Sequence, residues 1–109
     1  MSIKLSDILT PMLNAAKDSF GQDWPKVNDY GKAEMKKLAQ SLVNIAKYAA
    51  EGKITKAEAK ALLQIHRNTT IMVLLTIEGL GIIAVEKAIN AALGAAKAAI
   101  NTAAGIAIL

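Results

Sequence analysis

His66 is the only imidazole in a chain of 109 residues without Cys, so any base-activated nucleophile would have to be built around it. Position 63 is Leu, which removes the Glu-x-x-His spacing of bundle metal sites, and no His-Glu-x-x-His motif occurs. With Arg67 beside it on a helical segment, His66 reads as a partly exposed seam residue. Gly79-Leu80-Gly81-Ile82-Ile83-Ala84 matches the GxGxxA form of a dinucleotide fingerprint. That fingerprint needs a second parallel strand and an acidic residue about 20 positions on, and no acid follows Glu86. Close helix packing at small residues is the preferred reading. No catalytic residue, metal ligand, cofactor or small-molecule substrate is expected.

Glu78 carries more information. The other residues from Ile71 to Val85 are apolar, Thr76 or Gly, and a carboxylate in such a setting is costly unless paired or solvated. It either pairs with Arg67, Lys56 or Lys60 of a neighbouring antiparallel helix, or faces solvent, or lines a cavity or channel between chains. Asn68, Gly79, Asn90 and Asn101 recur every eleven residues, as do Lys56, Arg67 and Glu78, and as do Glu86 and Lys97. Eleven residues in three turns hold a narrow polar stripe straight along a helix. The stripe comprises Arg67, Glu78, Glu86, Asn90, Lys97 and Asn101.

Thirteen basic against nine acidic residues give a net charge of +4. Lys26, Lys32, Lys36, Lys37 and Lys47, with Lys53, Lys56 and Lys60, make a basic surface that could meet phosphate. Acidic neighbours dilute it, and one Arg with four aromatic residues leaves little for base readout or stacking. A solvated face is the expectation, and nucleic acid is not an expected partner.

The elements that position these residues are helical. Leu5, Ile8, Leu9, Met12, Leu13, Ala16 and Phe20 line one face of a short helix over roughly 6 to 20. Pro11 sits within it, so either Ser6 caps the helix and Pro11 bends it, or Thr10 is the cap. Asp23-Trp24-Pro25 starts a second helix, with Asp23 as the N-cap acceptor. Trp24, Asn28, Gly31, Met35, Leu38, Leu42, Ile45 and Ala49 form its heptad seam. Gly31 weakens that helix and is a point where it could split. Gly52 and the capping box Thr55-Lys56-Ala57-Glu58 then predict a tight helical hairpin.

From Thr55 onward no Pro and no cluster of turn residues occurs, and two glycines alone weaken a helix without specifying a turn. The pattern predicts one helix of about 48 residues, roughly 70 Å long. A monomer of this size has a radius of gyration near 13 Å and could not cover it. The alternative is a break at Gly79 to Gly81, giving a four-helix monomer.

The chain therefore predicts an all-α, single-domain protein over 1–109, with a polar hairpin region (1–67) and an apolar oligomerisation or membrane region (68–109). A short N-terminal helix precedes a long antiparallel hairpin, and an extended apolar C-terminal helix enters an oligomeric bundle. Leu74, Ile77, Leu80, Ile82, Val85, Ile89, Leu93, Ala96 and Ile100 form the expected oligomer core. The leading function is a non-enzymatic structural or assembly protein, a homo-oligomer. The alternative is a membrane-active protein, pore-forming or holin-like, with membrane lipid as its partner. Met1 to Asp7 lacks the apolar run of a secretory signal, so a cytoplasmic location is the default, with membrane association kept open.

Overall fold

Ile8, Met12, Ala16 and Phe20, spaced by four, form the buried stripe of helix α1 (Leu5–Phe20). A computed structural model describes residues 3–109 of the chain, and Met1 and Ser2 of the opening stretch lie outside them. Neither Ser6 nor Thr10 caps α1. The helix starts at Leu5, and the Asp7 carboxylate accepts the Lys4 N–H at 3.0 Å, a charge suited to a helix N-terminus. Pro11 lies inside the helix on its exposed side, where the carbonyl it leaves unpaired remains within reach of water.

Gly21, at φ +55°, turns the chain out of α1, and a short 3-10 turn leads into α2 (Trp24–Ala50) with Pro25 in its first turn. Asp23 does not cap α2; its carboxylate lies 3.5 Å from Lys26 Nζ. Gly31 does not split the helix. It is buried, and a Cβ there would stand 2.7 Å from Val27 Cγ1 and 3.3 Å from the Trp24 ring. Glycine is thus the residue that lets Trp24 lie along its own helix.

Gly52, at φ +72°, opens the turn to α3 (Lys56–Leu74). Glu58 N–H donates to Thr55 Oγ1 at 3.1 Å, and Thr55 N–H donates to Glu58 Oε1 at 2.9 Å. The Thr55 backbone N–H, and then its hydroxyl, hold the Glu58 carboxyl below its usual pKa. A carboxylate depressed by folding contributes stability that is present above its unfolded pKa and lost as pH falls through the folded value. Wild type should therefore exceed a Glu58→Gln variant in stability at neutral pH, with the difference closing on acidification below the carboxylate range. Paired thermal melts against pH check this.

The expected continuous helix from Thr55 is not observed. The chain leaves α3 at Leu74, turns through 75–81, and returns as α4 (Ile82–Ala104). Gly79 adopts φ +87° and Gly81 is extended. Folding back lets a single chain bury what a 70 Å rod would expose. The extended C-terminal helix of the expected oligomeric bundle is thereby replaced by a fourth helix packed on its own chain.

α4 packs most extensively on α1, and α3 on α2; α2 also touches α1 and α4. No contact joins α1 to α3 among the described residues. The bundle measures 42 × 22 × 17 Å with a radius of gyration of 13.5 Å, and no strand occurs among the described residues. After Gly105 the chain folds onto Asn101, whose Oδ1 accepts from the N–H groups of Ile108 and Leu109, both at 2.9 Å. That side chain anchors Ile108 in the core.

Candidate self-association surface

α3 carries its buried side chains, among them Ala59, Leu63, Thr70 and Leu74, toward α2 and α4. Its opposite face runs through Ala61, Ile65, Asn68, Thr69, Met72 and Thr76, which are all exposed and uncharged. Ile65 is 58% exposed and Met72 68%. Arg67, the only charge between Lys60 and Glu78, is turned sideways: its Nε donates to Asn90 Oδ1 on α4 at 3.0 Å and its Nη1 to Asn68 Oδ1 at 3.1 Å. A solvent-facing helix normally carries its charges on this side. Beyond the turn the same character continues, with Ile82 54% and Ile83 80% exposed. Scattered exposed apolar residues are ordinary; Ile65, Met72, Ile82 and Ile83 are the large ones exposed on and beside this uncharged face.

The expected oligomer core is largely used inside one chain. Leu74, Val85, Ile89, Ala96 and Ile100 are buried by their own chain, whereas Ile77, Leu80 and Leu93 are half-buried and Ile82 faces solvent. The requirement that other copies cover these residues rested on an unbroken helix, and the turn at 75–81 removes it.

The polar stripe is dispersed. Arg67 and Asn90 meet, but Glu78 lies exposed in the turn with no ion pair among the described residues, Glu86 is half-buried, Lys97 is exposed, and Asn101 is committed to the C-terminal fold-back. Neither a partner among Arg67, Lys56 and Lys60 nor a shared lining is present for Glu78; solvent satisfies it. His66 is half-buried at the α2–α3 contact, in a hollow lined by Glu34, Lys37, Leu38, Ser41, Thr69 and Thr70. Glu34 is itself buried and pairs with Lys37 at 3.3 Å, which satisfies the carboxylate without His66. A hollow of about 630 Å³ has Lys47 and Glu51 among its lining residues and, among the described residues, no hydroxyl or imidazole. No group of three His, Asp or Glu side chains comes together among the described residues.

Reading from sequence missed Ile65, Met72 and Ile83 as a surface. The signal was there, since they sit at heptad-compatible spacing on an uncharged face, but a chain apolar on most sides does not say which side stays outside.

No protein-family model, curated protein or solved structure matches the chain.

Proposed function

We propose that this is a non-enzymatic assembly protein that associates with copies of itself. The observation that carries the reading is the uncharged outer face of α3, with Ile82 and Ile83 also exposed beyond the turn. A protein with net charge +4 repels its own kind over most of its surface, so an uncharged face is where two copies meet at least cost. The surface differs from the one expected at first: the outward side of α3 and the start of α4 take the place of the apolar side of α4, which α1 covers. Sequence composition also suggested a membrane-active protein, and that reading finds no support in the helices. None of them, among the described residues, is long and apolar enough to cross a membrane.

The test is the light-scattering mass of the detergent-free protein across a concentration series, with the membrane fraction assayed for the same chain. The expected result is a multimer that dissociates on dilution. Met72→Asp should weaken it roughly tenfold or more, because the interface would bury an unpaired charge. Fold stability should change little, since Met72 is exposed. A monomer at every concentration would end the assembly reading, and recovery only with detergent would favour the membrane one.

A further inference from the structure

We infer that self-association proceeds by exchange of α4 between two copies, with the turn at 75–81 as a hinge that straightens into helix. The inference rests on the self-association proposed above and gives it a route.

The two turns flanking α3 are built differently. The one before it is specified by Gly52 and the reciprocal Thr55–Glu58 bonds. At the other, α3 ends on Leu75 in ordinary right-handed geometry, and Gly81 begins α4 with no side-chain cap. Its closing bonds, Thr76 N–H to Val73 O and Ile77 N–H to Leu74 O, both 3.1 Å, are the i to i+3 bonds of a tightened helix. Gly79, at φ +87°, is the one left-handed residue in it, and Gly81 is extended. Of the helix pairs adjacent in the chain, α3 and α4 share the smallest contact, and the one side-chain hydrogen bond between them is Arg67 to Asn90.

The amphipathic phase passes through this turn unchanged. On an unbroken helix at 3.6 residues per turn, all the buried residues of α3 and α4 fall within one half of the circumference, an arc of about 180°. Ile65, Thr69, Met72, Thr76, Gly79 and Ile83, at steps of four and three, fall within an opposite arc of about 80°. A straightened chain thus keeps one core face, its α3 half on its own α2 and its α4 half on the α1 and α2 of the second copy. Two-fold exchange brings the two hinges together at the symmetry axis, and the exposed stripe from Ile65 to Ile83 is a heptad seam on which the two long helices can meet. The contacts within each half are those already made, so the occupant of the vacated surface is a second copy of the same helix.

The chain lacks Cys, so Lys56→Cys and Thr102→Cys, both at exposed positions, can be spin-labelled without interference and diluted into unlabelled protein to read the distance within one chain. In the closed bundle both labels lie at the end away from the turn, within its 42 Å length; in a straightened helix they stand about 70 Å apart. Two hinge variants are measured beside the parent. Gly79→Ala strains the closed turn and favours helix, and should raise the dimer association constant about tenfold or more. Ile82→Pro places proline at the first position of α4, after an extended Gly81. There it is tolerated in the closed form but breaks a continuous helix, so this variant should fold and stay monomeric. A dimer whose labels remain within 42 Å, or an Ile82→Pro protein that dimerises like the parent, would overturn exchange and leave self-association standing. A monomer in parent and variants alike would overturn both.

Discussion

Ile89→Ala should lower stability by about 2–5 kcal/mol, and the loss should appear in full in dilute, monomeric protein. Ile89 is 0% exposed and belongs to a core assembled from all four helices of a single chain. Truncation removes three methyl or methylene groups and leaves a cavity that the long apolar contact between α1 and α4 cannot close without shifting a whole helix. Denaturant titration at low concentration measures it. If Ile89 were buried by another chain, dilute monomer would already have lost that packing and the substitution would change nothing there.

Gly31→Leu should cost about 3 kcal/mol, with Gly31→Ala destabilising in the same direction by a smaller amount. Helix propensity alone says the reverse, because Ala for Gly in a helix interior gains about 1 kcal/mol. The sign is decided by Val27 Cγ1, 2.7 Å from where the new Cβ would sit. Val27 is fully buried and stiff at χ1, and on the other side Trp24 packs in turn against Phe20, with ring centroids 6.3 Å apart. Val27, which makes the closer contact, has no room to retreat. Thermal or chemical unfolding of the two variants checks both the order and the sign, and a stabilised Gly31→Ala would show that Trp24 is free to swing away.

The two variants mark where sequence reasoning holds and where it stops. Helical character, the buried stripe of α1, the seam through Met35, Leu38, Leu42 and Ile45, and the turn capped by Thr55 and Glu58 were all legible from residues a few positions apart. Gly31 was read as a weakness because its neighbours in space were not yet known; packing against Trp24 makes it a requirement. Glu34 is buried at the hollow beside His66, between α2 and α3.

Local signals act within a turn or two of helix, since capping bonds, glycine φ values and i to i+4 contacts all close over that range. They fixed three of the four helix starts to within a residue or two and the α2–α3 turn outright. The break at 75–81 has only Gly79 and Gly81 as such a signal, which made it the alternative to a straight helix, and it is the alternative that the chain adopts. Local preference there permits a straight helix, and only the apolar area gained by laying α4 along α1 and α2 bends the chain. The candidate surface follows from the same decision. Sequence determined that the chain beyond residue 70 is apolar on most sides around a narrow polar stripe; tertiary structure decided which part of it the chain covers for itself, and so left Ile65, Met72, Ile82 and Ile83 outside.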